Sequence, residues 1–328
     1  MLITKTPLRI SIGGGGTDLP SYYQKYGGSL IAAAIDKHIF IGINRIFTDD
    51  YVVKYSSLER VQSLHEIQHP IVRAVFEMHE ISPAIEMVSL ADIPAGTGLG
   101  SSGAFTVGLL RAIYSLKREY ISPEALAEEA CRIEIEVLQR AGGKQDQYIA
   151  SIGGLICMEF STTGKVTVTP LQVDTKMLRH LEEHLLMFFT GYSRQSHVLL
   201  GDQQQRTLEG DDEMVANLHC TRQLGVKIKE ALEAGDPERY AELMHEHWMH
   251  KRGRSQGMSN ACIDHWYETA LRNGALGGKL IGAGGGGFLL FYAKEKNDLR
   301  RAMAQEGLEE VHFKFDLDGS TVLARTEI

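Results

Sequence analysis

The pattern of apolar and polar residues predicts a mixture of strands and helices along the whole chain. Apolar residues that alternate with polar ones, or that run together, are typical of strands. They predict strands over residues 1–12, 29–47 (as two strands), 51–55, 84–91, 155–160, 166–171, 184–190, 288–291 and 311–315. Helical spacing and N-terminal capping residues predict helices over residues 65–80, 105–116, 122–139, 211–234, 237–250, 260–273 (with Ser259 as N-cap) and 297–306. Because strands and helices do not alternate strictly, an α+β fold is favoured over a doubly wound parallel sheet.

The length of the chain and the distribution of its glycines refine this prediction. A chain of 328 residues is long enough for two ordinary domains, which we place at 1–180 and 181–328. The 34 glycines are about one residue in ten, above the usual ~7%. They cluster at residues 13–16, 96–103 and 282–287, which indicates three local glycine-rich loops and not a low-complexity chain.

Charge and cysteine content exclude several classes of function. The net charge of −8 argues against a nucleic acid or an anionic membrane as partner. The four cysteines stand far apart, without a spacing typical of zinc sites or disulfide frameworks. No apolar leader and no run of about 18 apolar residues is present. We therefore expect a cytoplasmic protein, a monomer or homodimer, that acts on a small molecule.

The middle glycine cluster predicts a phosphate-binding loop. It lies in the segment 93–104, between an apolar run and the predicted helix over 105–116. Gly96, Gly98 and Gly100 alternate with other residues, so the backbone can adopt positive φ and approach a ligand closely. The N–H groups at the start of a helix are unpaired and, with the helix dipole, attract an anion.

The same glycines also fit other kinds of loop. Gly98, Gly100 and Gly103 fit the dinucleotide-binding pattern G-x-G-x-x-G, but Pro94 separates the preceding strand from the first of these glycines. A P-loop is excluded because the pattern G-x-x-x-x-G-K-[ST] does not occur in the chain. From the residues alone, a purely structural glycine loop stays open.

Three motifs in order resemble those of the GHMP kinases, the superfamily of galactokinase, homoserine kinase, mevalonate kinase and phosphomevalonate kinase. They are residues 5–18 (KTPLRISIGGGGTD), 94–104 (PAGTGLGSSGA) and 279–290 (KLIGAGGGGFLL). The resemblance covers essentially the whole chain. It implies an α+β N-terminal domain that binds nucleotide and substrate, a ferredoxin-like C-terminal domain, and a site between the two.

The resemblance implies that the chain uses ATP and Mg²⁺. The residues implied to bind ATP are Pro94, Gly96, Gly98, Leu99, Gly100, Ser101, Ser102 and Gly103. Ser102 and Glu134 are implied to lie at the Mg²⁺ ion, whose ligands are oxygens. Taken alone, Ser102 could be a helix N-cap and Glu134 a surface charge. Glu136 should be solvated, since it lies on another face of the same helix.

By the same resemblance, Asp146 is the catalytic residue that faces the substrate hydroxyl, and Arg9 pairs with it. Whether Asp146 removes the proton or only orients the hydroxyl is left open, and Arg9 could instead form an ion pair on an edge strand. The residues implied to bind substrate are Arg9, Gly15, Thr17, Asp18, Asp146 and Arg194. A carboxylate such as that of Asp18 can accept two hydrogen bonds from sugar hydroxyls.

The first glycine cluster bears on the identity of the sugar. Galactokinases carry Gly-Glu-His where this chain has Gly14-Gly15-Gly16, which removes two sugar contacts and puts galactose in doubt. The run GGGGTDLP and the segment 190–196 resemble the bacterial heptose kinases of the same superfamily. That branch phosphorylates C1 of D-glycero-D-manno-heptose 7-phosphate. Candidates for binding the 7-phosphate are Arg194, Lys251 and Arg252.

Two further functions were considered besides a heptose 7-phosphate 1-kinase. One is another anomeric sugar kinase, of the L-fucose or galactose type. The other is a catalytically silent sugar sensor, which is disfavoured because the glycine loop, Glu134 and Asp146 are all intact.

Overall fold

The computed structural model describes residues 1–191 and 196–326. Its strands are β1 (Leu2–Gly13), β2 (Gly28–Arg45), β3 (Tyr51–Lys54), β4 (Leu58–Val61), β5 (Ile85–Ala91), β6 (Leu155–Phe160), β7 (Val166–Pro170), β8 (Leu185–Gly191), β9 (Ala275–Leu280), β10 (Gly287–Ala293), β11 (Glu309–Glu310) and β12 (Thr321–Arg325). Its α-helices are α1 (Pro20–Tyr26), α2 (Pro70–Met78), α3 (Ser101–Lys117), α4 (Pro123–Cys131), α5 (Gln145–Ile152), α6 (Thr175–His184), α7 (Ser196–Glu209), α8 (Asp212–Glu233), α9 (Pro237–Arg252), α10 (Ala261–Arg272) and α11 (Lys296–Gln305). A 3₁₀ turn spans Leu64–Glu66 and a π-helical turn spans Arg132–Val137.

The strands form two sheets. The larger has the order β12-β1-β2-β5-β3-β4, with β6 and β7 joined to it through β2. Its ladders are antiparallel except that between β3 and β5. The smaller sheet is antiparallel, with the order β11-β8-β10-β9. This is the 4-1-3-2 order of a ferredoxin-like unit, as expected for the second half of the chain. β12 returns from that half to pair with β1, and the boundary near residue 180 stays a prediction.

The prediction of two strands over 29–47 was wrong, because β2 is one strand of 18 residues. The polar residues Asp36 and Lys37 interrupt the apolar pattern but not the strand. Their backbone is held by a neighbouring segment, since Asp36 N–H donates to the carbonyl of Lys314 at 2.9 Å. In return the Asp36 carboxylate accepts from Lys314 N–H at 2.9 Å. β2 can therefore pair with β6 before this point and with β5 after it.

Several predicted ends of helices and strands were also wrong. The helix predicted from 65 begins at Pro70, because the ring of His69 caps it by accepting from Val72 N–H. The helix predicted from 260 is capped by Asn260 and not by Ser259. Of the strand predicted over 311–315, only one bridge at Phe315 forms, and the short strand β11 lies just before the predicted range. The prediction missed α1, α5, α6, α7, β4, β9 and β12 altogether.

The predicted helix over 122–139 divides into α4 and the π-helical turn. Within that turn the N–H of Leu138 bonds the carbonyl of Ile133, five residues earlier, in the wider π pattern that is frequent at functional sites. Glu134 is thereby buried against α3, whereas Glu136 is exposed, as predicted.

Helix α3 lies at the centre of the first half of the chain. Its buried face includes Leu109, Leu110 and Ile113, and it packs against β1, β2, α4 and α5. The N-terminus of this central helix is therefore held rigidly. No helix of residues 1–191 and 196–326 has the length and apolarity that a membrane span requires.

Candidate active site

A cleft of about 680 Å³ brings the three glycine-rich motifs together. Gly14–Gly16, the loop before α3 and the third-motif residues Gly282 and Ala283 all contribute to its lining, together with the π-helical turn and residues of α7 and α9. A second cavity, of about 730 Å³, lies between Arg45, Arg118 and Arg325 and contains no residue of the motifs. The first cleft is therefore the candidate site.

Most of the residues predicted for the site line this cleft. They are Arg9, Gly15, Asp18, Gly96, Gly98, Gly100, Ser101, Ser102, Gly103, Glu134 and Asp146. Pro94, Leu99 and Thr17 are not in its lining. Thr17 instead bonds the backbone of β2, because its hydroxyl donates to the carbonyl of Ser29 at 2.8 Å. Arg194 lies outside the described residues.

The loop before α3 has the geometry expected of a phosphate-binding loop. Gly96, Gly98 and Gly100 have φ of 82°, 83° and 76°, a region that disfavours other residues. Gly100 is the N-cap and Ser102 lies inside the helix, so Ser102 is not the cap. No side chain of the described residues caps α3, which leaves its first N–H groups available to an anion.

The third motif closes against this loop through backbone contacts. A Cβ on Gly282 would lie 2.6 Å from Cα of Gly98, and one on Gly287 would lie 2.2 Å from the carbonyl oxygen of Thr97. Lys251 of α9 holds the third motif from the other side, because its Nζ donates to the carbonyls of Leu280 and Gly282. Glycine is required at these contacts, which fix the loop that leads into α3.

Asp146 and Arg9 are in direct contact. The Oδ1 atom of Asp146 lies 2.8 Å from Nε and 2.7 Å from Nη2 of Arg9. Arg9 is buried at the cleft and also donates to the carbonyl of Gly98, so it does not form an exposed ion pair at a strand edge. A Cβ on Gly103 would lie 2.7 Å from Cβ of Asp146. The glycine allows α5 to bring the carboxylate to the start of α3.

Glu134 and Ser102 form a second polar group at the start of α3. The Ser102 hydroxyl donates to Oε2 of Glu134, and the amide of Gln147 donates to Oε1 at 2.9 Å. Burial raises the pKa of Glu134, while these hydrogen bonds act in the opposite direction. Arg140 places a guanidinium 3.0 Å from the Ser102 hydroxyl and 3.7 Å from Oε2 of Glu134. Ser102 and Glu134 therefore already have one cationic side chain, that of Arg140, beside them.

These oxygens fit a magnesium ion. Mg²⁺ usually takes one or two protein ligands and completes its shell with phosphate oxygens and water. The described residues contain no group of three or more His, Cys, Asp or Glu side chains placed to hold a metal. A hydroxyl and one carboxylate beside a phosphate-binding loop suit an ion that is bound together with a nucleotide.

Asp18 is the third carboxylate of the cleft. It accepts from the N–H of Gly16 at 3.0 Å and from the N–H of Gln145 at 3.3 Å. Burial raises the pKa of Asp18, and the nearby charge of Asp146 raises it further. A Cβ on Gly143 would lie 1.8 Å from Oδ2 of Asp18. Two carboxylates, Asp18 and Asp146, thus face a space where a polyol could donate several hydrogen bonds.

Sequence reasoning missed three cations of the cleft, Arg140, Arg254 and Lys279. Arg254 follows α9 and bonds Asn217 Oδ1 at 2.9 Å and Thr221 Oγ1 at 2.7 Å. In the sequence, Lys279 stands out only as the start of the third motif. Its side chain is buried and forms no hydrogen bond or ion pair with the described residues. Arg252, predicted from the sequence as a phosphate ligand, is exposed, lies 3.9 Å from Asp264 and does not line the cleft.

Comparison with known proteins agrees with this geometry. The GHMP kinases N terminal domain matches residues 67–154, and the GHMP kinases C terminal domain matches residues 228–308. The chain is 30% identical over 330 residues to the D-glycero-alpha-D-manno-heptose 7-phosphate kinase of Campylobacter jejuni, covering 96% of this chain and 97% of the relative. It is 26% identical to the bifunctional fucokinase/GDP-fucose pyrophosphorylase of Arabidopsis thaliana, over 95% of this chain but 31% of that protein.

Solved structures share the two-domain fold. A D-glycero-D-manno-heptose 1-phosphate kinase from Bacteroides thetaiotaomicron superposes with a TM-score of 0.82 at 24% identity, over 100% of both chains. The galactokinase of Lactococcus lactis superposes with a TM-score of 0.78 at 17% identity, over 98% of this chain and 95% of that one. The expectation of a GHMP kinase fold is confirmed. With both domains matched and a relative 30% identical over nearly its full length, the chain belongs to the GHMP kinases.

Proposed function

We propose that this GHMP kinase transfers the γ-phosphoryl group of ATP to the anomeric C1 hydroxyl of D-glycero-D-manno-heptose 7-phosphate, giving the 1,7-bisphosphate. The observation that carries the proposal is the contact of Asp146 with Arg9 at the start of α3, in the same cleft as Asp18. The Campylobacter jejuni relative, a heptose 7-phosphate kinase by name, supports the choice of sugar.

The three carboxylates of the cleft, Arg9, Ser102 and the start of α3 each take a role in this reaction. The N–H groups at the start of α3 hold the nucleotide phosphates, and Ser102 and Glu134 hold Mg²⁺. When bound, the ion neutralises charge on the phosphate oxygens. Asp18 orients the sugar through its hydroxyls. Asp146 accepts the hydrogen bond of the attacking hydroxyl, and Arg9 fixes the position of that carboxylate.

The test is ADP release with Mg-ATP over a panel of sugars. The panel contains the heptose with and without the 7-phosphate, L-fucose, galactose and mannose, and phosphorus NMR identifies the position of the new phosphate. We expect turnover of the heptose 7-phosphate and a new phosphate at C1. Turnover only of fucose or galactose would keep the kinase and overturn the heptose. Absence of turnover on every sugar, with ATP still bound, would favour a silent sensor.

Asp146→Asn tests the proposed catalytic residue in the same assay. The amide keeps the size of the side chain and its Oδ1 can still accept from Arg9, but it carries no charge and cannot take the proton, so kcat should fall by about 10²–10⁴-fold. Asp298→Asn is the matched control, since Asp298 is exposed on α11 and pairs only with Arg301. An Asp146→Asn enzyme with wild-type kcat would overturn the role given to this carboxylate.

A further inference from the structure

Three basic side chains buried in the cleft form no ion pair with any described residue. Lys251, Arg254 and Lys279 are all buried in its lining. The other two cations of the cleft have acidic partners, since Arg9 contacts Asp146 and Arg140 contacts Glu134. Among residues 1–191 and 196–326, no acidic group lies within ion-pair distance of the three. This basic cluster is therefore the part of the cleft whose basic groups have no acidic side chain in contact.

Neutral groups satisfy this basic cluster only in part. Lys251 donates to two backbone carbonyls, and Arg254 donates to the side chains of Asn217 and Thr221. Lys279 is without a recorded acceptor in the described part of the chain. Burial and the charges of Arg254 and Arg9 lower the pKa of Lys279 to about 7. An unpaired buried ammonium is costly, and an anionic ligand would remove that cost.

The cluster lies next to the proposed sugar site. Arg254 Nη1 is 3.4 Å from the carbonyl oxygen of Gly15, and a Cβ on Gly16 would lie 2.7 Å from the same Nη1. On its other side, Gly16 donates its N–H to Asp18. A sugar bound over Gly14–Gly16 with hydroxyls on Asp18 would thus have the basic cluster within reach. The cluster also adjoins the loop before α3, because Lys251 bonds the carbonyl of Gly282 and Gly282 packs against Gly98.

We propose that Lys251, Arg254 and Lys279 form the subsite for the phosphate that the sugar substrate already carries, and that they make the enzyme selective for a sugar phosphate over the free sugar. This inference rests on the proposed function and names the residues that bind the phosphate which is not transferred. Charge-assisted hydrogen bonds from three cations suit a phosphate dianion. The other role open to the cluster is to bind the phosphates of ATP.

Lys279→Met separates these two roles. Methionine replaces a buried cation by an apolar side chain of similar length, a change that proteins often tolerate. We expect kcat/KM for heptose 7-phosphate to fall about 10–100-fold, as for loss of a charged hydrogen bond. The KM for ATP and the kcat/KM for free heptose should change less than about threefold. Arg252→Met, next to Lys251 but outside the cleft, is the matched control.

Inhibition by inorganic phosphate provides a second readout that does not need turnover of the free sugar. At saturating Mg-ATP, phosphate should compete with heptose 7-phosphate in the wild type and in Arg252→Met. Its inhibition constant should rise at least tenfold in Lys279→Met, with the melting temperature recorded to verify folding.

The outcomes distinguish this inference from the proposed function. Unchanged kinetics and unchanged phosphate inhibition in Lys279→Met would overturn the subsite and leave the kinase assignment intact. A rise in the KM for ATP, or an equal loss on the free and phosphorylated sugars, would assign the cluster to phosphoryl transfer instead. A wild-type enzyme that phosphorylates no sugar would remove the proposed function, and the subsite with it.

Discussion

The two walls of the cleft differ in how their charged side chains are paired: one presents carboxylates with partners, the other basic side chains without acidic ones. On the wall built by α3, α5 and the π-helical turn, every carboxylate has partners within the chain. Asp146 contacts Arg9, Glu134 accepts from Ser102 and Gln147, and Asp18 accepts two backbone N–H groups. On the wall built by α9 and β9, the basic cluster has no carboxylate partner among the described residues.

The acidic wall, built by α3, α5 and the π-helical turn, is therefore the wall that is preorganised without a ligand. Carboxylates held by hydrogen bonds keep their geometry before substrate arrives, as phosphoryl transfer requires, since that reaction depends on positioning and electrostatics. Uncompensated buried cations are instead stabilised when an anion binds. We therefore assign chemistry to the acidic wall and recognition of the substrate phosphate to the basic wall, and three changes test this division.

Of these three changes, Glu134→Gln on the acidic wall is expected to have the largest effect on activity. Glutamine keeps the shape and can still accept from Ser102, but it removes the charge that holds the cation. The kcat should fall on the order of 10²–10³-fold, and half-maximal activity should need more Mg²⁺. A magnesium titration of the initial rate measures both changes.

The matched control for this change is Glu136→Gln. Glu136 lies on the same π-helical turn but is exposed, so its substitution should leave the magnesium dependence unchanged. If the two variants respond alike to Mg²⁺, the acidic wall does not hold the ion through Glu134.

The sequence could predict the acidic wall because its residues lie in or beside local motifs. Gly98, Ser102 and Asp18 belong to continuous segments whose spacing is itself informative. The basic wall could not be predicted in the same way. Arg252 and Arg254 lie two residues apart, and the packing beyond the end of α9 turns Arg254 inward to Asn217.

Packing between distant segments also explains which parts of the fold the sequence analysis did not predict. The α+β class follows from the pattern of apolar residues, but the continuity of β2 depends on Lys314, nearly 280 residues away. The burial of Glu134 likewise depends on a π-helical turn that no local pattern of apolar and polar residues predicts. Contacts between distant segments decide these features, and a single sequence does not display them.

An intermediate effect is expected from Gly143→Ala, which disturbs Asp18 alone. The new methyl group would fall 1.8 Å from Oδ2 of Asp18, while φ of Gly143 is outside the left-handed region. The chain should fold, because a side chain can move aside, but the carboxylate would be displaced. The kcat/KM for the sugar should fall about 10–100-fold, as for loss of charged hydrogen bonds, with the KM for ATP unchanged.

The neighbouring glycine supplies the control for that change. A Cβ on Gly142 meets nothing within 4 Å, and its φ is also outside the left-handed region. Gly142→Ala should therefore keep wild-type kinetics. Equal losses in the two variants would mean that the loop, and not the position of Asp18, limits sugar binding.

The smallest effect is a pH dependence that belongs to the basic wall. Lys279 has a pKa of about 7 in the free protein, lowered by burial and by Arg254 and Arg9. A phosphate dianion favours the protonated form, so binding takes up a proton and weakens as the pH rises through 7. From pH 6.5 to pH 8, the protonated fraction of such a group falls about eightfold, and the KM for the sugar phosphate should rise by up to that factor.

The other groups around Lys279 allow this titration to be assigned. Burial and neighbouring cations lower the pKa of His247 and of Lys251 well below their usual values, and Arg254 stays charged in this range because its pKa is lowered only to about 10. The second ionisation of the substrate phosphate lies near pH 6 and acts in the opposite direction. In Lys279→Met the rise in KM should disappear. A profile that survives the substitution would assign the titration to Lys251, and the basic wall would then bind its anion without a proton on Lys279.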